Sequence, residues 1–432
     1  MRFATLTRPV VIALLLAFAV GALAAGDKDK KNEYPNATRQ EPKLEMSSGD
    51  QRQLNKAADL VNDNKAAEAE PLIQKVLEDD HASRYAQSFA HELLGQVYYE
   101  QDKSANAIAE YQKAIQIDGL PNNQHFQVLF MVAQLQLQDE KYQDSLATLE
   151  QWEKLTGSQT AEEQALKANA YYRLDKYQEA ADTMKKALSM TDKPQPSWQQ
   201  ILMGSYFELN QYDQAADIVK AELAKDPNNM KLINNLATIY VQGNKDQQAL
   251  EVLGQAKAKG LITTSDDYVQ LAKLYSVANQ PKSAAETMKE GFAKGIIKPG
   301  YDTYKLEGDV CTQAEQDDCA IEGYGKAAPL AKDGNIDYQL GYVYYYADKP
   351  KDAVDALTRA ITKGGLRQEG EAYILRGDAY SALNENAPAT ADWEKAATFP
   401  STKTMAEQRM RAIKGGVKLK RASRPKTGAG TQ

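Results

Sequence analysis

From Asp50 onward, apolar residues recur at spacings of three and four in two runs separated by a polar break. The whole motif then returns every 33 to 38 residues. Leu93–Asp118 (LLGQVYYEQDKSANAIAEYQKAIQID) and Leu340–Gly364 (LGYVYYYADKPKDAVDALTRAITKG) show it well. Each has a small residue, an aromatic three later, a turn, an alanine, an apolar residue four on, and a small residue three after that. A 3.6-residue period broken once predicts two amphipathic helices joined by a turn. Aligning the motif gives ten repeats, starting near 50, 88, 126, 161, 196, 230, 265, 301, 334 and 370.

Residues are numbered below by their place within a repeat. Place eight is alanine or glycine, with Met203 the exception. Place twenty is alanine in nine repeats and Ser145 in the other. Place eleven is tyrosine in seven of ten, among them Tyr98, Tyr171 and Tyr344. Place twenty-four is always bulky, as in Ile73, Tyr111, Tyr324 and Trp393. Small contact residues let two helices approach to the short end of the ~8–10 Å range, and the bulky residue fills the space beside them. Breaks such as Asp139-Glu140-Lys141, Asn279-Gln280-Pro281 and Asp348-Lys349-Pro350 mark the turns. They exclude a coiled coil, which needs unbroken heptads. One such pair cannot bury its apolar stripe alone, so the pairs must stack on their neighbours.

The pattern resembles the tetratricopeptide repeat over roughly Asp50 to Lys403. The resemblance implies an all-α superhelical solenoid whose concave face is lined by the first helix of each pair. Family members bind protein segments there, at places two, five, nine, twelve and thirteen. Here those places carry Tyr99, Phe130, Tyr172, Phe207, Asn234, Asp309, Tyr338, Tyr342, Tyr345 and Asp378. Tyrosine offers contact area with a polar tip, and amides can bond the backbone of an extended segment. The face turns acidic toward its C-terminal end, so a basic or neutral segment is expected to bind there, with Asp309 and Asp378 contributing. The chain departs from the family at Met203, Trp152 and Glu222, which implies less regular packing in repeats three and five. The wide spacing of the first three repeats implies longer turns around His81 and Pro121.

The ends differ from the repeats. Arg2 and Arg8, the apolar run Val10–Val20 and the small residues Ala22-Leu23-Ala24 read as a cleavable export signal over residues 1–24. Eleven apolar residues are too few to span a bilayer, so no membrane span is expected after cleavage. The signal has a bacterial look, which points to the periplasm. Residues 25–49 are polar and read as a flexible linker. Residues 404–416 are expected to form a capping helix. Residues 417–432 read as a basic disordered tail that would touch an anionic surface or an acidic partner.

Composition narrows the function. Lys and Arg total 52 against 59 acidic residues, a net charge of −7, which argues against a nucleic-acid binder. Three histidines, His81, His91 and His125, show no ligand spacing and are expected on the surface, so neither a metal nor a cofactor is expected. Cys311 and Cys319 straddle a turn of repeat eight. They are expected either to form a disulfide in an oxidising compartment or to remain as buried thiols. Phosphate-loop, nucleophile-elbow and zinc-protease motifs are absent, and the repeats leave little chain for a catalytic domain. The expectation is a non-enzymatic scaffold or adaptor for envelope proteins. Its layout is similar to that of periplasmic repeat proteins associated with TonB-type energy transduction. The alternatives are a chaperone-like holder of unfolded clients and, remotely, a glycan-cleaving enzyme using a groove carboxyl of raised pKa.

Overall fold

A computed structural model describes residues 33–416 and Arg424. The export signal and all of the basic tail except Arg424 lie outside the described residues. Ten helix pairs follow one another: α1 (Ser48–Asn62) with α2 (Ala66–Leu77), α3 (Arg84–Glu100) with α4 (Ser104–Ile117), α5 (Asn122–Gln138) with α6 (Tyr142–Thr156), α7 (Ala161–Arg173) with α8 (Tyr177–Ser189), and α9 (Pro196–Glu208) with α10 (Tyr212–Lys225). The series continues with α11 (Met230–Gln242) and α12 (Asp246–Ala258), α13 (Ser265–Val277) and α14 (Pro281–Ala293), and α15 (Tyr301–Gln313) and α16 (Asp317–Ala327). After a short 3-10 turn (Ala328–Leu330) come α17 (Asn335–Tyr346) with α18 (Pro350–Lys363), α19 (Glu369–Ala382) with α20 (Asn386–Ala396), and a last helix, α21 (Lys403–Lys414). No strand occurs among the described residues. The chain forms two compact bodies divided inside α10, the first ending at Val219 and the second beginning at Lys220.

One turn geometry joins the two helices of all ten pairs. The second residue after each first helix is left-handed: Asn64, Asp102, Glu140, Asp175, Asn210, Asn244, Asn279, Glu315, Asp348 and Asn384. The next N–H then reaches back to the carbonyl of place eleven, as in Lys103 to Tyr98, Lys176 to Tyr171 and Gln316 to Cys311. This is the Schellman closure, and Asn and Asp are the non-glycine residues that best tolerate its left-handed position. At two of the tyrosines of place eleven the turn also brings a lysine over the ring. The Lys103 ammonium lies 5.7 Å from the Tyr98 ring centre, and that of Lys176 lies 6.0 Å from Tyr171. The ring packs inward while its face meets the lysine that begins the second helix.

Places eight and twenty-four are matched in size. A methyl group added to Gly95 would lie 2.6 Å from the Tyr111 ring, to Gly308 2.4 Å from Tyr324, to Gly341 2.6 Å from Leu357, and to Gly377 2.6 Å from Trp393. Glycine therefore stands at place eight where place twenty-four carries a ring, or a leucine pressed close. In the fifth repeat the sizes reverse: Met203 stands at place eight and the smaller Val219 at place twenty-four, and both are buried. Ser145, the one non-alanine at place twenty, donates its hydroxyl to the Ala133 carbonyl at 2.7 Å, so the polar atom is satisfied in the core.

Four expectations change. The extra residues of the early repeats are helix and not turn: α3 and α5 each run to 17 residues, starting four before the aligned repeat. Ser83 caps the added turn of α3 by accepting from the Ala86 N–H. Residues 33–41, expected in a flexible linker, are bound to the first body. Tyr34 meets Phe126 and Trp152 edge-on at 5.0 and 5.7 Å, and the Thr38 N–H donates to the Leu155 carbonyl. Arg39 donates to Asp118, to Asn122 and to the Leu120 carbonyl. Trp152, a departure from the repeat pattern, is buried beneath this strap and donates its indole N–H to the Phe126 carbonyl. Two histidines are not on the surface. His125 is 2% exposed, and burial first, then the Arg39 charge, lowers its pKa to about 4. His91 is half-buried, with Nδ1 2.6 Å from Glu110.

Candidate protein-interaction face

Within each body some first helices of consecutive repeats lie against one another. Within the first body α1 meets α3 and α7 meets α9; within the second α13 meets α15 and α17 meets α19. Such contact sets places five, nine and twelve of neighbouring repeats on a shared face.

In the first body this face is aromatic. Phe130 leans on Trp152 at 5.9 Å, and Tyr99 is half-buried against the core. Tyr172 meets Tyr177 edge-on at 5.5 Å, and Phe207 meets Tyr212 in the same way at 5.6 Å. The Tyr172 hydroxyl also reaches across to α9, where only the bare Cα of Gly204 gives it room: an added methyl would lie 3.0 Å away. Tyr177 and Tyr212 were not anticipated, although Tyr142, Tyr177 and Tyr212 share place seventeen in three consecutive repeats. The Tyr177 hydroxyl donates to Asp175 and that of Tyr212 to Asn210, each at 2.7 Å. The left-handed turn residue thus orients the ring. Beside the aromatics, Gln134 and Asn169 occupy place nine. Both are buried, and the amide oxygens have no hydrogen-bond partner among the described residues.

In the second body most expected contacts are used internally. Asp378 accepts both ends of the Arg409 guanidinium, at 2.5 and 2.8 Å, and the Trp393 indole N–H at 3.1 Å. Asp309 accepts from Lys305 at 2.5 Å and from the Tyr324 hydroxyl at 2.9 Å. The expectation that these carboxylates await a basic partner is therefore corrected. Each acid stands at place nine because the ring across from it at place twenty-four carries a donor that burial would otherwise strand. Asn234 donates to Asp267 of α13, and the Tyr338 hydroxyl donates to Glu371 of α19. Tyr345 is 6% exposed and belongs to the core, not the face. Tyr342 and Tyr346 are half-buried, their ring centres 4.6 Å apart. Cys311 and Cys319 are joined by a disulfide, with Cα atoms 5.7 Å apart. It occupies place eleven, where seven other repeats have tyrosine.

Two glutamates are raised to neutral pH or above. Burial raises Glu92, at place five of repeat two, to about 8, opposed by the Gln124 amide bonded to it at 2.6 Å. Burial raises Glu307 to about 7, against the nearby Lys326 charge. Glycan cleavage needs two facing carboxyls. Tyr85 and Tyr111 feel the Glu92 charge, and Glu307 feels that of the carboxyl Glu322. No group of three or more metal-ligating side chains occurs among the described residues. No helix among them is long and apolar enough to cross a membrane.

Tetratricopeptide-repeat family models match residues 54–121 and 338–402, and another matches 164–194. Over those stretches the chain is similar to tetratricopeptide repeats. The intervening pairs share their turn, their left-handed residue and their small places, so the fold is a solenoid of about ten such repeats. No curated protein matches the chain. Among solved structures, a tetratricopeptide repeat protein from Parabacteroides merdae is 16% identical and covers 60% of this chain and 98% of its own, with a TM-score of 0.39. The C-terminal part of a repeat-containing protein from Cytophaga hutchinsonii is 15% identical, covering 65% and 98%, with a TM-score of 0.41. YrrB, described as a TPR protein with an unusual peptide-binding site, is 17% identical, covering 46% and 100%, with a TM-score of 0.39.

Proposed function

We propose that this repeat protein is a non-enzymatic adaptor that holds an extended protein segment on the first-helix face of its first body. The observation that carries this is the row Phe130, Tyr172 and Phe207, half-exposed on neighbouring repeats and braced by Trp152, Tyr177 and Tyr212. Rigid aromatics give contact area at low entropy cost, and preorganisation lowers the cost of binding. The leader-like first residues support export to a bacterial envelope, and the overall layout suggests service beside TonB-type machinery.

Crosslinking capture from the periplasm tests this. Wild type should enrich one stoichiometric partner, and the Tyr172→Ala/Phe207→Ala variant should lose it while its thermal transition stays in place. Equal capture by the variant would overturn the assigned face. A broad, sequence-diverse catch would point to a holder of unfolded clients instead.

A further inference from the structure

Arg424 stands apart from the helices, ten residues beyond Lys414 at the end of α21. Its guanidinium lies over two rings of α17, 6.0 Å from the Tyr342 centre and 5.6 Å from the Tyr346 centre. Its Nη2 is 2.7 Å from Oδ1 of Asp317, in the first turn of α16. The arginine side chain is 15% exposed and the aspartate 31%. Neighbouring charges are spoken for: Asp318 pairs with Lys349 and Asp378 with Arg409. Asp317 is thus the anion that faces this guanidinium.

We propose that Asp317, Tyr342 and Tyr346 form an arginine-binding pocket that the chain's own Arg424 keeps filled, so that an arginine-bearing segment of a protein partner gains it only by displacing the tail. The chemistry is specific. Two tyrosine faces one helical turn apart attract a flat cation, and a carboxylate supplies the charge. A lysine ammonium meets the carboxylate but does not stack as a plane. Arg424 also uses the pocket incompletely. Asp317 Oδ1 and Arg424 Nε and Nη2 are buried yet make no aligned hydrogen bond, so the 2.7 Å contact is an ion pair with poor directionality. A free segment able to align its fork has bonding capacity left to use. Tethering gives Arg424 a high effective concentration, which sets the threshold a competitor must exceed. The tail would thereby screen for partners that carry arginine in a basic context.

The proposal adds a partner class to the protein-binding reading above and rests on it, but at a different place in the chain. The test titrates a fluorescein-labelled peptide with the sequence KRASRPKTG, residues 420–428, into full-length protein, followed by anisotropy. Arg424→Ala should bind it at least fivefold more tightly than wild type. Adding Asp317→Asn or Tyr346→Ala to that variant should return the affinity to the wild-type level or below. A peptide with lysine at both arginine positions should bind at least fivefold more weakly. Equal affinity for wild type and Arg424→Ala would overturn the proposal, as would undiminished binding after Asp317→Asn. The Asp317→Asn change keeps the side chain's size in the first turn of α16 and serves if Tyr346→Ala disturbs folding. A flat titration with intact partner capture through Tyr172 and Phe207 would remove only this inference.

Discussion

At the scale of the residue, the repeats are held by a matched volume. Places eight and twenty-four share one space, and the pair divides it differently in different repeats. Gly95 with Tyr111 and Gly377 with Trp393 give it all to the ring, while Ala168 with Met184 shares it. The Gly95→Ala change pushes a methyl to 2.6 Å from the Tyr111 ring. It should cost about 1–3 kcal/mol, as overpacking does. Tyr111→Leu should cost a similar amount by opening a cavity. The double variant should cost clearly less than the sum, since Leu leaves room for the methyl. Thermal or urea unfolding of the four proteins measures the coupling, and simple additivity would show that the two residues do not share the space. This pairing was visible in the sequence as small against bulky. The reason for glycine in particular was not, because it depends on a ring placed sixteen residues later.

At the scale of the element, each hairpin is set by its turn and each end by what covers it. The turns were legible: breaks rich in Asn, Asp and Glu before Lys or Gln fell where the left-handed residues stand. The strap was not. Residues 33–41 have no apolar period, and Tyr34 finds Phe126 and Trp152 only because α5 and α6 bring those rings together. Arg39 anchors the strap through Asp118, Asn122 and the Leu120 carbonyl, while Glu41 accepts the Asn122 N–H at the start of α5. Pro121 precedes α5 and supplies no capping side chain, so Glu41 fills that role from the strap. Arg39→Ala should therefore free the strap. Trp152 emission should shift to the red as Tyr34 leaves it, and trypsin should cut after Lys43 sooner than in wild type. Unchanged emission would mean that Tyr34 stays in place without the arginine.

At the scale of the whole molecule, charge is distributed so that stability depends on pH in a defined direction. Burial lifts Glu92 to about 8 in the first body and Glu307 to about 7 in the second. An unfolded glutamate titrates near about 4.3. Between those values the folded chain holds protons that the unfolded chain has lost. The stabilisation tied to these groups is thus greatest below about pH 4.3 and falls as pH rises through 7 and 8. His125, held near 4 by burial, works the other way below about pH 6.5, so the total curve is mixed and a difference between variants isolates one group. Glu307→Gln mimics the protonated acid. Its advantage over wild type should grow from near zero at pH 4 to on the order of 1–3 kcal/mol at pH 8.5. Urea unfolding at the two values checks this, and a gap that does not change with pH would exclude a titrating Glu307.

What the sequence determined by itself was whatever repeats. Helix pairs, their turns and the small contact places follow from near-neighbour spacing, and ten copies of one local rule make that rule readable. What the tertiary structure decided was whatever occurs once. Asp309 and Asp378 looked like groove acids until Tyr324, Trp393 and Arg409 were found bonded to them. Tyr345 looked like a contact residue until packing buried it. His125, Tyr34 and Arg424 lie outside the repeating pattern, so no other copy in the chain shows what they touch. A polar side chain's role is set by whether its hydrogen bonds are already made, and those partners are brought to it by the packing of other elements rather than by its own position in a repeat.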